Sequence, residues 1–243
     1  MPTTSAQGGP APGEIVDNND DIVTQRPFQL ETTGDWLVAS YRDPCAVLSW
    51  AIVNGGWQQT NQVVWLFLSP NELLGVDDPT QWFRARMQQS GLAGAVGLMT
   101  SRRLHAWVEA EASDQDCSAW AVATVGFSNA LRAGDPSGPG AAAGTINLLV
   151  HLSKPISTEA ALEILSLLSE AKALAALESG IPSRRSGEPA SGTGTDYLVL
   201  SWPLVGDREV YGGKHTPLGA AAGRAAYDAI SKGIRIWIEE QHV

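Results

Sequence analysis

The chain has 243 residues, 44% of them hydrophobic and 17% charged, and a formal net charge of -10. This is the composition of a globular chain with one well-buried domain. With no basic stripe to release counterions, the negative balance excludes a nucleic-acid backbone as partner.

Residues 1 to 26 are rich in Gly, Pro, Ala, Asn and Asp, carry Glu14, Asp17, Asp20 and Asp21, and read as a disordered acidic tail. The folded part then runs as one unit over residues 27–243. From Phe28 the chain turns strand-like. Trp36 to Tyr41 and Cys45 to Val53 are apolar, β-branched and aromatic, and Arg42-Asp43-Pro44 between them predicts a hairpin turn. Asn54-Gly55-Gly56 breaks the run, and Val63 to Leu68 resumes it. Pro79 to Gln89 predicts a helix, with Asp78 as N-cap and Pro79 at the first position. Gly94 to Thr100, Leu104 to Ala112, Ala119 to Gly126 and Thr145 to Leu152 predict four more strands. A long helix follows, capped by Ser157 and stopped by Gly180 and Pro182. Tyr197 to Trp202 is a strand apolar on both faces, and Thr216-Pro217 opens a last helix. Strands clustered in the first half with short links predict a single α+β domain: a mixed, mostly antiparallel sheet packed with two or three helices.

Polar residues gather where these strands end, the arrangement of a site built from loops on a rigid sheet. Ser191-Gly192-Thr193-Gly194-Thr195-Asp196 puts two glycines, two hydroxyls and a carboxylate before a strand. Its amides suit an anion nest and its threonines suit donation or attack, while Asp196 suits a general base or an orienting group. The same turn can also spend its hydroxyls on its own backbone. Gly212-Gly213-Lys214-His215-Thr216 leads into the last helix, whose free amides and Lys214 favour an oxyanion, with His215 as a proton shuttle; the plainer reading is a capping turn with a surface histidine. Arg132 suits a bidentate clamp on a carboxylate or phosphate, or pairs simply with Asp135. Asn147 and Thr145 share a strand face, and a strand-interior Asn is either networked or functional. Asn54 and Asn129 offer further amides. Trp57, beside Gly55-Gly56, suits a flat wall for a large planar ligand. Glu170 and Lys172 stand two apart in the long helix and do not face each other.

Cys45 and Cys117 are too few for a metal cluster or a disulfide framework; the pair has room for one bridge, and two buried thiols are the expectation. None of His105, His151, His215 and His242 stands at a zinc-ligand spacing from another ligand, so no metal is predicted. No apolar run approaches the ~20 residues that cross a bilayer, and no basic stretch leads into an apolar one at the start. The expectation is a soluble cytoplasmic protein without a membrane partner; the oligomeric state is left open.

The order of these segments resembles the adenosylcobinamide amidohydrolase family of corrinoid salvage. The resemblance rests on Asn54-Gly55-Gly56, Val96 to Thr100, Val125 to Asp135, Gly144 to Val150, Glu170-Ala171-Lys172, Gly192 to Asp196 and Tyr211 to Gly219. It departs at Trp50, where a smaller residue is expected, and at the basic Arg102-Arg103. It implies hydrolysis of the amide joining a cobyric acid core to its aminopropanol arm, with a small-molecule corrinoid as substrate. No cofactor is implied beyond the cobalt that the corrinoid itself carries. The residues fit two schemes. In one, Asp196 or His215 activates water while Thr193, Asn147 and the amides before the last helix hold the oxyanion. In the other, Thr193 or Thr145 attacks and forms an acyl-enzyme. Asn54, Asn129, Arg132, Asp135, Thr145, Thr195, Lys214 and Thr216 are then candidates for holding substrate. The competing classes are a corrinoid-binding protein without turnover and an amidase for a different bulky amide.

Overall fold

In a computed structural model, residues 26–138 and 144–242 are described; the expected acidic tail lies almost entirely outside them. The elements in chain order are β1 (Phe28–Thr33), β2 (Trp36–Ser49), β3 (Gly56–Phe67), α1 (Pro79–Gln89), β4 (Val96–Thr100), β5 (Val108–Asp114), β6 (Cys117–Val125), β7 (Ala130–Leu131), β8 (Ile146–Leu152), α2 (Thr158–Glu178), β9 (Gly192–Thr193), β10 (Tyr197–Pro203) and α3 (Pro217–Glu240). Eight strands form one mixed sheet in the order β4-β3-β2-β10-β8-β6-β5, with β1 added to β2; β7 and β9 make a separate two-residue ladder. The β3/β4 and β10/β8 pairs are parallel and the others antiparallel. Three helices and a large mixed sheet make this a single-domain α+β fold, as the strand clustering predicts.

Side-chain alternation divides the interior into three layers. Ala46 and Leu48 of β2, Leu198, Leu200 and Trp202 of β10, and the even-numbered apolar residues of β8 pack under α2 and α3. The opposite faces of these strands and of β6, through Val47, Val199, Leu149 and Val122, meet Leu37, Ala39, Val63, Trp65 and Leu98 from β2–β4. The outer face of that second half, with Trp36, Val64 and Leu66, is covered by Phe83 and Met87 of α1. The sheet is thus folded against itself, with helices on both outer faces.

The fold in the sheet occurs where a hairpin was expected. Arg42-Asp43-Pro44 is no turn: β2 runs through it, and its register on β3 shifts between Ser40 and Cys45. Ser40 faces Gln62 and Cys45 faces Thr60, so five positions on β2 match two on β3. Pro44 has no N–H for a ladder, and a bulge bends its strand; past it β2 keeps β3 on one side and exchanges β1 for β10 on the other. Two other boundaries differ. β3 begins at Gly56, not Val63. β5 begins at Val108, not Leu104, because residues 101–107 form a turn with His105 at φ +69°. The predicted N-caps hold: Asp78, Ser157 and Thr216 accept from Gln81, Ala160 and Gly219 N–H groups. Cys45 and Cys117 are both buried free thiols, facing different cores. Among the described residues no helix is long and apolar enough to cross a membrane.

Candidate active site

The sheet register carries the polar segments to one end. Val125 pairs with Ile146, Asn147 with Tyr197, Val199 with Ser49, and Ser49 with Gly56. The end of β6 and of β2 and the starts of β8, β10 and β3 therefore share that edge, and the loops 126–135, 144–145, 191–196 and 50–55 surround it.

At its centre is Asp196. Oδ1 accepts from the Thr193 hydroxyl at 2.6 Å, and both oxygens accept the Thr193 N–H at 3.1 Å. Oδ2 accepts from Lys172 Nζ at 2.5 Å, and the Ile146 N–H points at Oδ1 from 3.4 Å. A carboxylate has about four lone-pair sites, and four donor groups meet this one. The Asp196 and Lys172 side chains are 10% and 13% exposed, so the ion pair is largely withdrawn from water. Gly192 is required beneath it, since a Cβ there would stand 2.2 Å from Asp196 Oδ2 and 2.6 Å from Lys172 Nζ.

The surrounding loops are tied to this centre. The Thr145 hydroxyl donates to the Thr195 carbonyl, and the Thr195 hydroxyl to the Gly144 carbonyl at 3.4 Å. The Gly194 N–H donates to Asn129 O at 3.2 Å, and the Trp50 indole N–H donates to the Asp196 carbonyl at 2.8 Å. The Asn129 side-chain amide lies over Gly194, 2.5 Å from where a Cβ would sit, and makes no hydrogen bond among the described residues. Arg132 and Asp135 brace the far side of the loop rather than reach the centre. Arg132 donates to the Pro189 carbonyl at 2.7 Å. Asp135 accepts from the Ser183 hydroxyl and the Arg132 N–H, and the serine hydrogen bonds hold its carboxyl below the usual range.

Five candidates stand elsewhere. Asn147 is fully buried between the two sheet halves. Its Nδ2 donates to Met99 O at 2.8 Å and to Thr124 Oγ1 at 3.2 Å, so neither amide proton is free for an oxyanion. Asn54, at φ +56°, gives its amide protons to Ala93 and Ala95 carbonyls at 2.9 and 2.7 Å. Thr216 caps α3 and donates to Gly213 O at 2.8 Å. Lys214 pairs with Glu170 at 2.5 Å, on a flank of α2 about 200° from Lys172 at 3.6 residues per turn. His215 next to it is exposed, and no hydrogen bond joins it to Asp196 or Thr193. Among the described residues no three His, Cys, Asp or Glu side chains gather as a metal site.

Lys172 is the residue that site reasoning from sequence missed. Its signal was the segment Glu170-Ala171-Lys172, whose two charges point in different directions and so meet different partners.

A hydroxyl held on a carboxylate, an ammonium locked to that carboxylate and an unspent amide on the adjoining loop are groups that hydrolysis of an acyl bond can use. The family pattern narrows the class. The model of adenosylcobinamide amidohydrolase (CbiZ) matches residues 19–242, and the chain belongs to that family of corrinoid-directed hydrolases. No curated protein matches the chain. Among solved structures it is similar to the PH0078 protein from Pyrococcus horikoshii OT3, at 12% identity and TM-score 0.43, covering 86% of this chain and 83% of that one. It is also similar to a Burkholderia sp. beta-aminopeptidase, at 14% identity and TM-score 0.39, covering 86% and 82%.

Proposed function

We propose that this protein cleaves the amide between the corrin core and the aminopropanol arm of adenosylcobinamide, giving adenosylcobyric acid, with Thr193 as nucleophile. The observation that carries the choice of nucleophile is the 2.6 Å hydrogen bond from Thr193 Oγ1 to a carboxylate already filled by other donors. Asp196 has no acceptor site left with which to hold a water, and is placed instead to receive the threonine proton.

The Thr193 oxygen adds to the amide carbon as its proton passes to Asp196 Oδ1, and the carbonyl electron pair becomes the oxyanion. Asn129 Nδ2 is the donor within reach of the turn for that charge. Collapse breaks the C–N bond; the amine leaves with the proton from Asp196, and the corrinoid remains as a threonine ester. Water then adds to the ester, its proton returning through Asp196 to Thr193 Oγ1, and the carboxylic acid departs. Lys172 keeps the Asp196 carboxylate oriented throughout. Cobalt enters only as part of the substrate.

Incubation with adenosylcobinamide, followed by chromatography for adenosylcobyric acid, tests this. Thr193→Ala should lose at least about 10³-fold in rate, Thr193→Ser should keep measurable turnover, and Asp196→Asn should fall about 10²–10⁴-fold. A Thr193→Ala enzyme within tenfold of wild type would return the nucleophile to water. A protein that binds cobinamide without any product would be a binder rather than a hydrolase.

A further inference from the structure

Two large aromatic side chains stand exposed on the same side of the site, and the mechanism uses neither face. Trp57 is 49% and Trp50 45% exposed. Trp57 opens β3 opposite Leu48, and Trp50 lies two positions along from Leu48, about 7 Å at the rise of a strand. Trp57 stands edge-on to Trp202, ring centroids 5.6 Å apart, on the face that α2 covers. Trp50 reaches the Asp196 carbonyl. The two indoles thus form a shelf on β2–β3 that runs from the catalytic carboxylate toward the start of α2.

The shelf has a wall. On α2, Thr158, Leu162, Leu165, Ser169 and Lys172 recur at spacings of four and three, one face of the helix. Thr158 borders the same cleft as Trp57 and Trp202, and Lys172 reaches Asp196. The stripe is therefore parallel to the shelf for about 21 Å at 1.5 Å per residue. Leu162 on it is 56% exposed. Gln58, Gln59 and Arg208 line the far end, a cleft of about 400 Å³. Apolar faces of this size on a soluble protein mark a binding surface.

Resting on the hydrolase reading above, we propose that this shelf carries the corrin macrocycle of the substrate. One face of the ring system lies on the Trp57 and Trp50 indoles, and its peripheral amides meet Gln58, Gln59 and Arg208. The argument is continuity and complementarity. The scissile amide hangs from the macrocycle by a short arm, so the ring must rest within a few ångström of Thr193. The exposed indole of Trp50 abuts that centre directly, and a flat ring edged with amides matches aromatic faces ringed by amide and guanidinium groups. The shelf therefore sets affinity for the corrinoid, and Thr193 and Asp196 set the chemistry.

The test separates binding from turnover. Steady-state hydrolysis of adenosylcobinamide is measured for Trp57→Ala, Trp57→Phe and Trp50→Phe, with Leu74→Ala as an exposed apolar control remote from the shelf. Equilibrium dialysis of cobyric acid, which lacks the scissile arm, is read by its visible absorbance. Trp57→Ala should raise KM and the dialysis Kd together by about tenfold, equivalent to 1.4 kcal/mol, with kcat within about twofold and an unchanged melting temperature. Trp57→Phe should recover most of the loss, and Leu74→Ala should match wild type. Unchanged KM and Kd in Trp57→Ala, in a protein that hydrolyses cobinamide, would overturn the shelf and leave the activity standing. Binding weakened by Trp57→Ala in a protein without turnover would support the shelf and overturn the hydrolase reading. Neither binding nor turnover by wild type would overturn both.

Discussion

Lys172 and Asp196, 24 positions apart in the chain, lock α2 to the turn before β10 through a 2.5 Å ion pair that is about nine-tenths buried on both sides. A buried pair gains little over a well-packed apolar pair, but either charge left alone there is costly. Its value lies in fixing Asp196, and through it the Thr193 hydroxyl.

Lys172→Met should accordingly do two things at once. The carboxylate loses its counter-charge and retains only neutral donors, so unfolding free energy should drop by about 3 kcal/mol, read as a shift in the urea midpoint. Hydrolysis should fall by at least an order of magnitude. Adding Asp196→Asn to Lys172→Met should restore part of the stability and none of the activity. A double variant no more stable than Lys172→Met would show that the two charges are not coupled.

Gly192→Ala probes the same pair sterically. The new Cβ would sit 2.2 Å from Asp196 Oδ2 and 2.6 Å from Lys172 Nζ, so the carboxylate must turn away from Thr193. Activity should drop at least about 100-fold, the scale of a misplaced catalytic group. Gly213→Ala is the control: its Cβ would meet the His215 ring at 3.4 Å, an ordinary contact. Equal kinetics for the two variants would argue against the ion pair as the element that positions Thr193.

What the sequence discloses here is what is decided locally. The caps at Asp78, Ser157 and Thr216 were legible because the accepting side chain and the N–H that donates to it lie within three residues. The gathering of Thr193, Thr195, Asp196, Thr145 and Asn129 was legible because polar residues at strand ends stand out against apolar runs. The Arg42-Asp43-Pro44 bulge was not, because turns and bulges use the same residues. Only the burial of Tyr41 and Cys45 in the same core, on either side of the exposed residues 42–44, decides between them. The β7/β9 ladder is two residues long and leaves no periodicity to read. A strand-interior Asn147 reads as either networked or functional; its network is with Met99 on β4, a strand that sequence order does not place opposite it.

Asn147→Ala therefore separates architecture from chemistry. It removes the donor to the Met99 carbonyl and to Thr124 in a site with no access to water. Leaving such acceptors unpaired costs about 1–3 kcal/mol, which thermal unfolding should register. The kcat for hydrolysis, at a temperature where the variant is folded, should stay within about threefold of wild type. A loss of 100-fold or more at unchanged stability would restore Asn147 to the catalytic group.

The stability of the fold should also carry a histidine signature in pH. His151 is buried between the sheet halves against Tyr41, Phe28 and Trp120, with Nδ1 at 2.9 Å from Ser201 Oγ. Ser201 in turn lies 2.8 Å from the Tyr41 hydroxyl, whose own ionisation burial pushes far up. Burial lowers the His151 pKa from 6.5 to about 3. The unfolded chain therefore binds a proton at this residue below 6.5 that the folded protein refuses until about 3. Stability is complete above 6.5 and declines as pH falls through that window. From pH 6.5 to pH 5 the loss should approach 1.5 kcal/mol, at 1.36 kcal/mol per unit once the unfolded histidine is mostly charged. The carboxyls of Asp135 and Glu240, lowered by their hydrogen-bond and ion-pair partners, contribute only below their unfolded values of 3.8 and 4.5, so they leave the upper window to His151. Urea midpoints at pH 6.5, 5.8 and 5.0 should decline for wild type and stay level for His151→Gln, with the same m-value in both. A slope that survives the substitution would assign the titration to another group.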